Sequence, residues 1–124
     1  MSEFTFSSMR FSARSKNSLR TIKTRIGLRN NVICRMALSK SLSLPDDPPK
    51  RDKSEMSDLE IRQQTILGDL ERVFLVMFRE KYGNINSAEL NELCQDHIDR
   101  GLQSLLRNTA GAKGIHAYSE SVFG

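Results

Sequence analysis

The sequence lacks tryptophan and contains only two cysteines and three prolines among its 124 residues. Cys34 and Cys94 stand far apart and outside any CxxC spacing, which disfavours both a disulfide framework and a structural zinc site. No apolar run reaches the roughly 18–20 residues of a membrane-spanning helix, and no apolar signal-peptide core is present. These absences predict a soluble cytoplasmic protein, and the Ser- and Arg-rich N-terminus leaves a mitochondrial transit peptide as the alternative.

Acidic residues are also missing from a long basic stretch, residues 10–40, although the whole chain carries a net charge of only +4. Its nine cations are Arg10, Arg14, Lys16, Arg20, Lys23, Arg25, Arg29, Arg35 and Lys40. Residues 54–124, by contrast, hold seven Lys or Arg against eleven Asp or Glu. Such asymmetry within one small protein favours a polyanionic partner for the first half over a merely solvated basic face.

The chain is short enough to form one domain with a modest core. Hydrophobic periodicity predicts an all-α fold of mainly four helices, with a short N-terminal strand as an option, that completes its burial as an oligomer. We expect an N-terminal tail at residues 1–8 and a single helical DNA-binding and oligomerisation domain at 9–107, with a linker at about 44–56. Residues 108–124 have no periodicity and are predicted to be a flexible C-terminal tail.

The N-terminal half is predicted to be ribbon-helix-helix-like, because a possible strand precedes two helices separated by Gly27. In that motif a two-stranded ribbon from a dimer enters the major groove. Alternation would turn Met9 and Phe11 inward and expose Ser8, Arg10 and Ser12. Since only Arg10 is a strong reader of bases, a sequence-specific repressor is the less favoured interpretation.

The helices themselves have recognisable ends. The first is predicted from Ser15, as N-cap, to residue 26, and the second over residues 30–42 with an asparagine as N-cap. The second helix is apolar on two sides, so we expect burial between two layers, one of them another subunit.

The third helix is predicted over residues 57–82, opened by a capping box. The fourth is predicted over residues 86–107, opened by a second capping box at Asn86 and Glu89. Gly101, in the middle of the fourth helix, predicts close approach of another helix backbone.

Three cations of the first helix, Lys16, Arg20 and Lys23, fall at i, i+4 and i+7 and therefore form one stripe. Arg25 falls on the opposite flank. A stripe beside the apolar face can lie along a phosphate backbone, with salt-dependent affinity that is indifferent to sequence. The predicted DNA-binding residues are Arg14, Lys16, Arg20, Lys23 and Arg29.

Catalytic or metal chemistry would have to use Cys34, Cys94 or His97. The cysteines follow apolar residues within helices and are predicted to be core thiols, while His97 is predicted to be hydrogen-bonded at a helix–helix or subunit interface. Asp99 and Arg100 are predicted to form a structural ion pair. No phosphate-binding fingerprint or carboxylate cluster is present, so we expect no enzyme activity, no metal and no cofactor.

Two segments, RFSARSKNSLRTIKTRIGLRNNVICRMALSKSLS and HIDRGLQSLL, resemble the DndE family of DNA phosphorothioation (DNA sulfur modification) proteins. The resemblance spans roughly residues 10–44 and 90–107. It implies a helical protein that works with other proteins of the system and forms tetramers that bind nicked duplex DNA through surface lysines. Lys16 and Lys23 stand at candidate positions, with Arg20 between them, and several cations are Arg rather than Lys.

The predicted function is therefore a non-catalytic DNA-binding component of the phosphorothioation system, which contacts backbone phosphates of duplex DNA. The resemblance implies that this duplex is nicked. The alternatives are a DNA-nicking or sulfur-insertion enzyme subunit that uses His97 or Cys94, and a ribbon-helix-helix transcriptional repressor.

Overall fold

The computed structural model describes residues 8–110, which form five α-helices and one two-stranded antiparallel sheet. In chain order the elements are β1 (Ser8–Ser12), α1 (Ala13–Ile26), α2 (Asn30–Leu42), β2 (Met56–Arg62), α3 (Gln63–Leu67), a 3₁₀ turn (Gly68–Leu70), α4 (Glu71–Tyr82) and α5 (Ser87–Asn108). None of these helices combines the length and apolarity that crossing a membrane requires. Most of both predicted tails lies outside the described residues.

Helix α1 begins one turn earlier than its sequence predicts. Ser12 is the N-cap, and its Oγ accepts a hydrogen bond from the Ser15 backbone N–H at 3.1 Å. The prediction of Ser15 as N-cap was wrong, because its side chain instead donates to the Asp99 carboxylate on α5. Gly27 ends the helix as predicted, with φ 75°, and its N–H donates to the Lys23 carbonyl at 2.9 Å.

Helix α2 lies at the centre of the molecule and packs against α1, α3 and α5. Its N-cap is Arg29, which makes no side-chain capping bond, so the prediction of an asparagine N-cap was wrong. The Asn31 side chain instead accepts from the N–H of Val32. Burial on two sides is confirmed, since Ile33 and Leu38 are both inaccessible to solvent. Helices of the same chain provide this cover.

The crossing of α2 and α5 is very close at Gly101. A Cβ placed on this glycine would lie 1.9 Å from the carbonyl oxygen of Ala37 and 2.6 Å from its Cα. Contacts this short are impossible for any side chain, so only glycine permits the observed separation of the two helix backbones. The predicted close backbone approach is confirmed.

The prediction was wrong for the first half of the third helix, because residues 56–62 form β2 instead. Exposed positions alternate there with half-buried ones, as in a strand with one face on the core. Ser57 does not open a capping box, since its hydroxyl donates to the Phe11 carbonyl on β1 at 2.8 Å. Gly68, at φ 54°, then separates α3 from α4, and Gly83 ends α4 as predicted.

Strand β1 forms as predicted, and its partner is β2 of the same chain. The register joins Met9 to Ile61 and Arg10 to Glu60, with an irregularity before Ser12. Met9 is buried and Arg10 exposed, which confirms the predicted alternation; Ser12 is buried because it caps α1. A ribbon-helix-helix ribbon, by contrast, is assembled from two subunits.

Helix α5 has the predicted start. The Asn86 side chain accepts from the Glu89 N–H at 2.8 Å, and the Glu89 carboxylate accepts from the Asn86 N–H at 3.1 Å. This capping box is confirmed. It sets the start of this long helix, whose buried face places Cys94, His97 and Gly101 in the core.

Candidate nucleic-acid interface

The three cations predicted to form a stripe line one open depression at the surface of α1, which we call the basic depression. Arg20 and Lys23 are exposed, whereas the Lys16 side chain retains 34% of its accessibility. Within residues 8–110, the lining comprises Lys16, Leu19, Arg20, Lys23, Asn30 and Leu59. Cations therefore stand around a partly apolar floor to which α1, α2 and β2 all contribute.

The opposite flank of α1 is held against α5 by side-chain hydrogen bonds. Ser18 accepts from the Gln103 amide at 3.0 Å, and Arg25 donates to the Leu106 carbonyl at 2.8 Å. Arg25 thus satisfies a carbonyl near the C-terminus of α5, where a cation also interacts favourably with the helix dipole. Its separation from the stripe agrees with the position predicted from the helical wheel.

The structure does not bring Arg14 and Arg29 into the lining of the basic depression. Arg14 lines a separate polar depression with Ser12, Asp52, Glu55 and Asp99. Its guanidinium lies 3.8 Å from the Asp99 carboxylate. Arg29 is exposed at the start of α2, directly before Asn30 of the lining. The three cations of the stripe thus lie together in the fold, and Arg29 is adjacent in the sequence to a residue of the same lining. Arg14 instead lies among acidic side chains.

Two acidic residues of β2, which sequence reasoning did not include in the site, contact the basic stretch. Lys16 Nζ donates to Asp58 Oδ1 at 2.7 Å, and this bond with Lys16 is the main reason that the pKa of Asp58 lies below its usual value. Arg10 pairs with Glu60 at 3.6 Å and donates to the Ser57 carbonyl at 3.2 Å. The alternating pattern of MSDLEIR was the available signal for this strand.

His97 is fully buried between α2, α4 and α5 and is hydrogen-bonded at both ring nitrogens. Its Nδ1 lies 2.7 Å from Ser41 Oγ and its Nε2 lies 2.6 Å from Tyr82 Oη. Burial is the main cause that lowers the pKa of His97 to about 4, and the nearby charges of Arg100 and Lys81 act in the same direction. The predicted role at a helix–helix interface is confirmed.

Charged groups flank this network at both ends. Arg100 Nε donates to Ser41 Oγ at 2.8 Å, and Asp47 acts on the pKa of Tyr82. With its pKa lowered to about 4, His97 is neutral at pH 7, so one ring nitrogen donates a hydrogen bond and the other accepts one. Burial and Asp47 also raise the pKa of Tyr82 to about 12.

Asp99 and Arg100 do not form the predicted ion pair. Asp99 faces α1, where it accepts from Ser15 and lies near Arg14. Arg100 points to the other side, and its Nη2 donates to the carbonyls of Ser41 and Asp46 at 2.8 and 3.0 Å. The prediction was wrong because adjacent residues on a helix point about 100° apart.

Both cysteines are buried in the core with free thiols, as predicted. Burial raises the pKa of Cys34 to about 12, and burial followed by the proximity of Cys34 raises that of Cys94 as well. Within residues 8–110, no group of three or more His, Cys, Asp and Glu side chains is arranged to hold a metal ion.

We expect neither thiol to react with Ellman's reagent in the native protein. Reaction requires an accessible thiolate, and Cys34 and Cys94 are both inaccessible and hard to ionise. Denaturation should release both groups at once. Absorbance after reagent addition, with and without denaturant, measures this, and rapid labelling of either cysteine in the native protein would contradict it.

Comparison with known proteins gives a consistent family and fold. The family model described as DNA sulphur modification protein DndE matches residues 8–112. The fold is similar to the crystal structure of DndE from Escherichia coli B7A, described as involved in DNA phosphorothioation modification, with a TM-score of 0.67. That likeness has 18% sequence identity and covers 84% of this chain and 98% of that chain.

A crystal structure of a DndE mutant involved in DNA phosphorothioation is similar too. It has a TM-score of 0.65 and 18% identity, and the match covers 82% of this chain and 97% of that chain. No curated protein sequence matches significantly. Because the family model matches most of its length, the chain belongs to the DndE family of DNA sulphur modification proteins.

Proposed function

We propose that this protein is a non-catalytic DNA-binding component of the phosphorothioation system, and that it holds the DNA backbone at the basic depression. The observation that carries the proposal is the convergence of Lys16, Arg20 and Lys23 on one surface. Arg29, exposed beside it, extends the positive surface toward the start of α2.

The chemistry of this surface suits phosphate better than bases. Lysine and arginine neutralise phosphates and displace the condensed counterions of DNA, which yields affinity without sequence reading. The aliphatic residues Leu19 and Leu59 form part of the floor, and no aromatic ring of residues 8–110 lines the depression to stack on a base. Arg10, the one base-reading candidate of the ribbon, is not among the residues that line the depression.

The burial and hydrogen bonding of the three candidate nucleophiles or bases support DNA binding rather than catalysis. Cys34, Cys94 and His97 are each inaccessible to solvent. The two thiols have raised pKa values, and both nitrogens of the imidazole are engaged in hydrogen bonds. A reacting group must come within hydrogen-bond reach of its substrate, which these positions prevent.

The proposal extends to a homotetramer that prefers nicked duplex DNA and works with other proteins of the system, as the family resemblance implies. An exposed apolar surface on α4 and the turn before it supports self-association. Leu70, Val73 and Val76 retain 45, 52 and 61% of their accessibility and follow one another at helical spacing. Exposed apolar clusters of this kind are typical of surfaces that become covered in an assembly.

The decisive experiment replaces Lys16, Arg20 and Lys23 together with alanine. At about 0.1 M salt, we expect affinity for intact, nicked and single-stranded DNA to fall by at least about 30-fold, because three phosphate contacts are lost. The slope of log affinity against log salt should become shallower by about 3 for duplex DNA. Fluorescence anisotropy across a salt series measures both quantities.

A triple alanine variant at Lys50, Arg72 and Arg107 is the matched control, since it removes the same charge from exposed cations outside the basic stretch. It should bind nearly as well as the parent protein. Equal binding by the two triple variants, or no loss in either, would remove the proposal. Incubation of the parent protein with Mg²⁺ and supercoiled plasmid tests the catalytic alternative, and nicking that disappears in His97→Ala would favour it.

A further inference from the structure

An acidic side chain forms an ion pair with one of the cations that line the basic depression. Asp58 Oδ1 lies 2.7 Å from Lys16 Nζ, while the Asp58 side chain remains 87% exposed. The carboxylate is therefore not part of the core. It stands in solvent beside the ammonium group, where an approaching phosphate would also bind.

The neighbouring exposed position of β2 repeats the arrangement. Glu60 pairs with Arg10 across the ladder at 3.6 Å, and both side chains are about half exposed. Residues i and i+2 of a strand face the same side, so Asp58 and Glu60 present two carboxylates along the edge of the basic stretch. Strand β2 thus places acidic side chains next to cations of β1 and α1.

We propose that Asp58 competes with DNA phosphate for Lys16 and thereby limits non-specific affinity, an inference that rests on the proposed function. An exposed ion pair is weak, so DNA can displace it. Displacement nevertheless forfeits the Lys16–Asp58 attraction, and the carboxylate then repels the bound phosphate. Both effects act over distances shorter than the screening length of about 10 Å at 0.1 M salt.

The test is Asp58→Asn, which keeps the shape of the side chain and removes its charge. At about 0.05 M salt, we expect this variant to bind intact duplex DNA about fivefold more tightly than the parent protein, and the gain should shrink as salt rises. Releasing Lys16 should also steepen the salt dependence by up to about 0.9 in slope. Anisotropy titrations with labelled duplex DNA measure both changes.

Two comparisons separate competition at Lys16 from a general change in net charge. Glu80→Gln makes the same charge change at an exposed position of α4 and should leave affinity almost unaltered. In a Lys16→Ala background, Asp58→Asn should lose most of its effect. An equal gain in both backgrounds, an equal gain from Glu80→Gln, or no gain at all would overturn the inference.

Failure of this inference can be distinguished from failure of the proposed function. If the Lys16, Arg20 and Lys23 triple variant loses affinity while Asp58→Asn changes nothing, DNA binding at the basic depression stands and the competition is overturned. If the triple variant binds as the parent does, both are overturned.

Discussion

Gly101→Ala is expected to lower the free energy of unfolding by at least about 3 kcal/mol, a large part of the total for a domain of this size. On an isolated helix the same change would stabilise by about 1 kcal/mol, because alanine has the higher helix propensity. Here the new methyl would sit 1.9 Å from the Ala37 carbonyl oxygen. Backbone atoms cannot rotate away, so α2 and α5 must separate and lose packing along their whole contact.

Urea unfolding followed by circular dichroism measures this effect. Ser104→Ala, at a half-buried position of the same helix, should change stability by less than about 1 kcal/mol and serves as the control. Adding Ala37→Gly to Gly101→Ala should not restore stability, since the clash involves backbone atoms of residue 37 rather than its methyl group. A Gly101→Ala protein as stable as the parent would show that the helices do not approach as closely as described.

Acidification from pH 6.5 to pH 4 is expected to destabilise the fold through His97. The folded-state pKa is lowered to about 4 from the ordinary value of 6.5. Between these values the unfolded chain binds a proton that the folded chain does not, so the free energy of unfolding falls as the pH falls. The slope from this group approaches about 1.4 kcal/mol per pH unit, or about 3 kcal/mol over the window.

Urea titrations at several pH values should show this slope in the parent protein and a flatter one in His97→Asn, which cannot titrate at this position. His116, the other histidine of the chain, is present in both proteins, so its contribution cancels. A direct check is the NMR titration of the His97 imidazole, whose midpoint should lie near 4. Parallel slopes in the two proteins, or a midpoint near 6.5, would contradict the buried neutral histidine.

Local signals in the sequence were sufficient for some of the helix ends. Gly27 and the capping box at Asn86 and Glu89 fixed two helix ends, because each is a short-range device whose chemistry is complete within a few residues. The buried glycine at position 101 and the buried histidine at 97 were also predictable, since each lies on the apolar stripe of α5, where its residue type is unusual.

Strand β2 was not predicted because its partner is distant in the sequence. The spacing of Leu59 and Ile66 fits a helix as well as the spacing of Leu59 and Ile61 fits a strand. Pairing with β1 decides between these two structures. The same contact explains what was missed in the site. Neither the Asp58 partner of Lys16 nor Leu59 in the lining can be inferred without knowing that β2 lies beside α1.

The position of Arg14 was in fact readable from the helix period. Arg14 and Lys16 are two residues apart on α1, which places them about 200° apart around the helix. Lys16 therefore reaches the basic depression, whereas Arg14 reaches Asp99 on α5. Arg14 therefore stays a predicted DNA contact that lies outside the basic depression.

The β1–β2 ladder also has a consequence for the order in which the molecule assembles. Its two strands are separated by the whole of α1 and α2, so their pairing must close a long loop, and the entropy of closure is recovered only when the register is complete. A two-stranded ladder contributes little stability by itself and depends on the helices beneath it. The positive charge of the N-terminal half is therefore present as soon as that half is synthesised, whereas the acidic side chains of β2 reach it only once the ladder has formed.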